Sequence, residues 1–212
     1  MENHSIEAGS TPEHSLHLDK DIATGLVVAN HYTGRSWRVV KYPFVWKRDG
    51  EPVAACLFGI PAARWKEDVL ELVRLVKVPG CDSPLSSFIS SCCQEVRRAG
   101  EYDLLVSYAD STHSHHGGIY QACSWNFDRT KPPSNDGLII DGKFVPGRYC
   151  NNLYGTRSRD KVAKLLPNST VEKHWDLGKH LYWKALNKSG KRKASRLGLK
   201  SNPYPKPEDS GN

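Results

Sequence analysis

The segment that most restricts the fold runs from Asp68 to Asp110. It holds two long apolar runs, DVLELVRLVKV and YDLLVSYA, on either side of PLSSFISSCCQEVRRAG. Apolar residues on both faces of a run are the pattern of strands in the middle of a sheet. Between them Phe88, Cys92 and Val96 recur in steps of four, with Ile89 and Cys93 beside them, which makes one buried helical face. Ser83 is placed to cap this helix, Pro84 suits its first position, and Gly100 suits its end. A strand, a helix and a parallel return strand form a right-handed crossover. The chain is therefore built round a sheet with at least one parallel pair at its centre.

The flanking sequence supplies antiparallel partners. LHL (Leu16–Leu18) reads as a short first strand, and Asp19 or Asp21 can cap a helix carrying Ile22, Leu26 and Ala29 on one side. SWRVVKYPFVWK and EPVAACLFGI are β-rich runs joined by RDG, a hairpin signal. After the crossover come a short helix in HGGIYQACS, a strand beginning at WNF, and a second Asp-Gly hairpin in LIIDGKFV. SRDKVAKLL then reads as a helix and KHLYWKAL as the last strand. No internal repeat interrupts the series. Hairpin first and crossover after predicts an α/β (α+β) fold, with a mixed, mostly antiparallel central sheet of about six or seven strands flanked by helices.

With 212 residues, the chain fits one domain with tails. We place a disordered N-terminus at residues 1–15, the folded domain at 16–186, and a basic, Gly/Ser/Pro/Lys-rich disordered tail at 187–212. The net charge is +7, of which the tail carries +5 and residues 1–186 only +2. A mildly basic body argues against a pure DNA-binding module, which concentrates its charge on one face. The six cysteines include no Cys-x-x-Cys pair, so they read as small core residues. No apolar run approaches the roughly 18 residues of a membrane helix, and MENHSIEAGSTPEHS has no secretory h-region. We expect a cytoplasmic protein without a membrane partner.

The most informative stretch is LLVSYADSTHSHHGGIYQACSWNF, from Leu104 to Phe127. Asp110 closes a central strand, the usual place for ligand contacts in open α/β sheets. Three histidines follow, His113, His115 and His116, the last just before Gly117-Gly118. They read as metal ligands, as substrate contacts or as loop residues.

The order of elements resembles the GNAT acyltransferase fold, most closely over Val69–Phe127. That resemblance implies acyl-CoA, or a related two-carbon donor, beside the long strand and at the next helix N-terminus, where free N–H groups and the helix dipole favour pyrophosphate. Val76, Val78, Ser83, Leu85 and Ser86 then line the cofactor. The loop VPGCDSPLSSF departs from the GNAT pattern: Asp82 repels phosphate and Pro84 removes an N–H donor.

A narrower resemblance covers about residues 16–186. LVSYADSTHSHHGGIYQACSW, NHYTGRSW, LELVRLVKV and KHLYW look like segments of the Mom family of phage DNA-modification proteins. This resemblance implies conversion of adenine in DNA to N6-carbamoylmethyladenine, which shields phage DNA from host restriction. The host cytoplasm would be the location and double-stranded DNA the partner, its adenine extruded for reaction. The catalytic set would be His31, Tyr32, Tyr108, Asp110, His116 and Tyr120. Because the product joins N6 to a methylene carbon, a redox metal such as Fe(II) on His31, Asp110 and His116 is one way to the bond. Trp125 and Tyr149 are candidates for stacking on nucleic acid. Arg35, Arg38, Arg157, Lys191, Arg192 and Lys193 are candidates for phosphate contacts. The alternative is a conventional GNAT N-acetyltransferase acting on an amine of a protein, an RNA or a small molecule.

Overall fold

The computed structural model describes residues 12–62, 65–113 and 115–206. The chain folds into two compact units: residues 1–107, 122–124 and 184–199 in one, and residues 108–121, 125–183 and 200–212 in the other. Strand β5 (Leu104–Asp110) passes from the first unit into the second.

In the first unit, β1 (His14–Leu18) pairs antiparallel with β2 (Val40–Arg48), β2 with β3 (Glu51–Gly59), and β3 with β4 (Leu70–Lys77). β4 and β5 are the parallel pair of the crossover, in register from Leu70 opposite Leu105 to Leu72 opposite Ser107. The β2–β3 turn is Asp49-Gly50, both with positive φ, as the Asp-Gly signal requires. Helix α1 (Lys20–Asn30) is capped by Asp19, whose carboxylate accepts the Ile22 N–H at 2.9 Å. Its buried residues are Ala23 and Val27, with Ile22 and Leu26 packed at their side. Ala29, expected on that face, is exposed. Helix α2 (Leu85–Ala99) buries the five predicted residues Phe88, Ile89, Cys92, Cys93 and Val96, and ends at Gly100 with φ 73°. Its start differs from expectation. Pro84 is the N-cap rather than the first helical residue, and Ser83 does not cap. The buried Ser83 hydroxyl bonds instead to His14 Nε2 at 2.8 Å.

The first part of the expected disordered tail is folded, and residues 207–212 lie outside the described residues. Residues Lys188–Arg196 form α6, capped by Asn187, whose side-chain oxygen accepts the Gly190 N–H at 2.9 Å. The reason is tertiary: Lys193 pairs with Asp103 at 3.3 Å, and Arg196 meets Glu67 at 2.6 and 3.0 Å. At the other end, His14 and Ser15 belong to β1, while residues 1–11 lie outside the described residues.

In the second unit, β10 (Lys179–Ala185) pairs antiparallel with β6 (Asn126–Lys131). The large sheet has seven strands in the order β1-β2-β3-β4-β5-β10-β6. This is the expected mixed, mostly antiparallel architecture. A second sheet, in the order β8-β7-β9, contains β7 (Asn135–Ile140), β8 (Lys143–Pro146) and β9 (Val171–Trp175). The predicted Asp141-Gly142 turn joins β7 to β8, again with positive φ at both residues. Helices α4 (Gly147–Tyr154) and α5 (Arg159–Leu165) bury Cys150 and Val162 against Leu138, Ile140 and Val171. Helix α3 (Gly118–Ala122) is one short turn after the end of β5. Among the described residues no helix is long and apolar enough to cross a membrane.

Candidate active site

In the second unit, Tyr108 and Asp110 lie two residues apart at the end of β5 and so share a face of the strand. Lys131 and Lys179 stand directly opposite each other in the β6–β10 ladder. Like charges so placed repel, and each lysine is answered from β5 or the loop before β10. The Lys131 ammonium donates to the Tyr108 hydroxyl at 3.0 Å and lies 4.4 Å from the ring centroid. Lys179 Nζ is 3.6 Å from the Asp110 carboxylate and 3.4 Å from that of Asp176. Burial alone would lower the Lys179 pKa, but Asp110, Asp176 and Asp136 together raise it above its ordinary value. Burial likewise pushes Asp176 up, and the N–H groups of Ser134 and Gly178 with the Lys179 ammonium bring it below the usual carboxylate range. Asp110 also accepts the Thr112 N–H at 3.0 Å, which fixes its orientation. His180 bridges Ser111 Oγ at 3.2 Å and Thr130 Oγ1 at 2.8 Å.

The same unit holds an aromatic cluster. The buried Tyr182 hydroxyl donates to the His116 carbonyl at 2.6 Å and receives the Gln121 amide at 3.3 Å. Its ring centroid lies 5.1 Å from that of Tyr120 and 5.6 Å from that of Phe127. Gly117 makes this possible: a Cβ there would lie 2.3 Å from the Tyr182 ring. The His116 ring packs over Gly118, whose Cβ would be 3.1 Å from Nε2. Tyr120 is 7% exposed and Trp125 fully buried, their rings 5.4 Å apart. That corrects one expectation: the fully buried Trp125 packs in the core and does not stack on nucleic acid, and Tyr120, nearly buried, packs beside it.

In the first unit, His31 and Tyr32 follow α1 with ring centroids 4.2 Å apart, and His31 Nδ1 is 2.9 Å from Thr33 Oγ1. Arg74 of β4 stacks on Trp37 at 5.1 Å and donates to the carbonyls of Arg35 at 3.2 Å and Val73 at 2.6 Å. Burial lowers the Arg74 pKa, opposed by nearby Tyr32 and Glu71. The β4–β5 pairing stops after Leu72, whose carbonyl accepts the Ser107 hydroxyl at 2.7 Å. Beyond that point Val76 is buried, and Val78 donates its N–H back to Val53. Asp82 is bound by Arg48 at 2.5 Å, and the guanidinium holds its carboxyl below the usual range. Pro84 stands before the helix, which leaves the N–H groups of Leu85 and Ser86 in the first turn, where α-helices have no internal acceptors. Ser86 itself accepts the Cys123 thiol through its carbonyl at 3.5 Å.

The iron expectation does not fit these residues. Among the described residues no group of three or more His, Cys, Asp or Glu side chains can hold a metal ion. The physical reason lies in the partners: Asp110 faces a lysine, and His31 Nδ1 is taken by Thr33. Of the remaining expected contacts, Arg35, Arg38, Tyr149, Arg157, Lys191 and Arg192 are exposed, while Lys193 is committed to Asp103.

The Mom protein family model matches residues 16–206. This chain belongs to the Mom protein family. The match carries the family past residue 186 through α6, which the sequence reading had left outside the domain. Membership of the Mom family supports phage DNA modification and a transferase activity. No curated protein matches the chain. Several solved acetyltransferases are similar to it. An N-acetyltransferase from Staphylococcus aureus Mu50 is 12% identical, over 82% of this chain and 99% of that one, with a TM-score of 0.48. The ribosomal-protein-S18-alanine N-acetyltransferase from Escherichia coli is 10% identical, over 82% and 95%, with a TM-score of 0.48. A GNAT family acetyltransferase from Elizabethkingia anophelis with acetyl-CoA bound is 10% identical, over 81% and 97%, with a TM-score of 0.47.

Sequence reasoning missed Lys131, Lys179, Asp176 and Tyr182. Lys179 and Tyr182 stood inside the quoted KHLYW segment, but nothing in it indicated that Lys179 faces Asp110.

Proposed function

We propose that this protein is a phage-type DNA-modification enzyme that converts adenine in double-stranded DNA to N6-carbamoylmethyladenine and so protects phage DNA from host restriction. The observation that carries the reading is the Mom family match over residues 16–206, which includes the whole Tyr108–Asp110–Lys131–Lys179 arrangement.

The chemistry suits such a site. The N6 amine of adenine is a weak nucleophile, because its lone pair is delocalised into the ring. As N6 bonds to carbon it must lose a proton, and Asp110, oriented by the Thr112 N–H, is the acceptor. Lys131 and Lys179 supply positive charge beside it, suited to a developing oxyanion or to the phosphate of an extruded nucleotide. The product joins N6 to a methylene carbon that carries an amide, so the bond balances with a related two-carbon donor that already bears the amide and a leaving group on that carbon. The leaving group departs with the bonding pair as N6 attacks, and Asp110 takes the N6 proton. Acetyl-CoA, which has neither feature, would also need a two-electron oxidant and a source of amide nitrogen. Within the first unit, His31 and Tyr32, with Arg74 electrostatically close to Tyr32, form a separate candidate set. The test is mass spectrometry of nucleosides from plasmid DNA after expression in bacteria. A deoxyadenosine species with the carbamoylmethyl increment supports the reading, and unmodified nucleosides with folded protein overturn it.

A second reading, N-acetylation of an amine on a protein, an RNA or a small molecule, is favoured by the loop before α2. Arg48 neutralises Asp82 there and Pro84 precedes the first turn, so neither residue opposes a pyrophosphate as the bare sequence implied. Saturable acetyl-CoA binding together with an N-acetylated product and unmodified DNA would select it.

A further inference from the structure

Helix α6 carries Lys188, Lys191, Arg192, Lys193 and Arg196, and no acidic residue lies between Asn187 and Leu199. By itself this is a poor helix. Lys188 faces Lys191 and Arg192 at three- and four-residue spacing, so like charges repel along one side. Lys188 also stands in the first turn, where the helix dipole disfavours a cation. Tertiary contacts hold the helix in place regardless. Gly190 and Ala194 are buried, and Gly190 lies so close to the Asp103 carbonyl that a Cβ would come within 2.0 Å of its oxygen. Asn187 bonds Asp103 at 2.5 Å, Lys193 pairs with Asp103, and Arg196 pairs with Glu67.

The five cations therefore divide into two sets. Lys193 and Arg196 are spent on carboxylates of the fold. Lys188, Lys191 and Arg192 are exposed on the other face at spacings where like charges repel. A fixed row of cations that opposes its own helix is complementary to a polyanion with closely spaced charges.

We infer that the outer face of α6, through Lys188, Lys191 and Arg192, is a phosphate-binding rail for the backbone of duplex DNA, and that Lys193 and Arg196 are clamps that dock it. The inference rests on the DNA-modification reading for its choice of polyanion. The rail adds affinity that is independent of sequence and sensitive to salt, and reads no base.

The experiment is fluorescence anisotropy of the full chain with a labelled duplex oligonucleotide across a series of NaCl concentrations. Replacing three phosphate contacts in K188A/K191A/R192A lowers the slope of log K against log salt by about 2.7, at about 0.9 per phosphate. The thermal midpoint does not fall, because the substitution relieves repulsion. The milder pair K191Q/R192Q lowers the slope by about 1.8 and serves if the triple variant is poorly folded. An unchanged slope in the folded variants overturns the inference. So does loss of binding confined to single-stranded RNA or to phosphatidylserine vesicles, with duplex affinity intact. Nucleoside mass spectrometry on the same variants separates the two claims. Modified deoxyadenosine from the parent with an unchanged slope in the variants sinks the rail alone, and a lowered slope in the variants with no modified nucleoside from the parent sinks the enzyme reading alone.

Discussion

Replacing Gly190 with alanine sets two effects of known size against each other. In an ordinary helix interior the change stabilises by roughly 0.8–1 kcal/mol, because alanine is the best helix former and glycine among the worst. At this position the new Cβ would lie 2.0 Å from the Asp103 carbonyl oxygen, 2.9 Å from its carbon and 3.3 Å from the Ala185 Cα. All three are backbone atoms, so no side chain can rotate away. The helix must retreat by about 1 Å, and interiors at crystal-like density do not absorb that freely. Overpacking of this kind costs about 1–3 kcal/mol. Weakening the Leu186 N–H bond to the same Asp103 carbonyl, 2.8 Å in the parent, adds about 1 kcal/mol. The clash therefore wins by about 1–3 kcal/mol. For a chain of this size that lowers Tm by roughly 2–4 °C per kcal/mol. Circular dichroism melts of parent and Gly190→Ala at one pH decide the matter. A variant as stable as the parent, or more stable, would refute the docking of α6 against Asp103 and leave helix propensity as the whole account.

Asp110→Asn and His31→Ala are expected to abolish DNA modification with the far-ultraviolet spectrum unchanged; full modification by Asp110→Asn would remove Asp110 from the site. Lys179→Met leaves Asp110 and Asp176 without their shared cation. A broken buried pair costs about 3–5 kcal/mol, and with one-third of the Lys179 side chain exposed we expect about 1–2 kcal/mol after solvent screening. The pH dependence has a definite sign. Asp176 titrates below its unfolded value of about 3.9, so its share is complete above that pH and is lost as pH falls through the folded value. Lys179 titrates above about 10.4, so its share is complete below that pH and is lost as pH rises through the folded value. The stability gap between parent and Lys179→Met should thus narrow at both extremes; a gap that widens below pH 4 contradicts the assignment. Arg48→Ala frees Asp82 to oppose phosphate and should weaken acetyl-CoA binding about fivefold at low salt, less at high salt, by calorimetry.

Local chemistry made much of this fold readable. Asp49-Gly50 and Asp141-Gly142 demand left-handed backbone and turn where expected, and the four-residue rhythm of Phe88, Cys92 and Val96 marks the buried face of α2. Asp19 caps α1 because its carboxylate reaches a free N–H three residues on. Asp110 and Tyr108 were legible as candidates because strand ends are where an open sheet presents side chains, and the structure places both at the end of β5. Trp125 was misread, since an aromatic beside a motif looks the same in sequence whether it faces solvent or core.

The sequence by itself determined the strand and helix order, the hairpins and the crossover, because each depends on neighbours within a few residues. Tertiary structure alone decided the rest. Lys131 opposes Lys179 through strand register, Arg48 neutralises Asp82 across 34 residues, and α6 is a helix because Asp103 and Glu67, far back in the chain, answer two of its charges. Periodicity and propensity cannot report such pairings, since the free energy that fixes them comes from groups that meet only once the chain has folded.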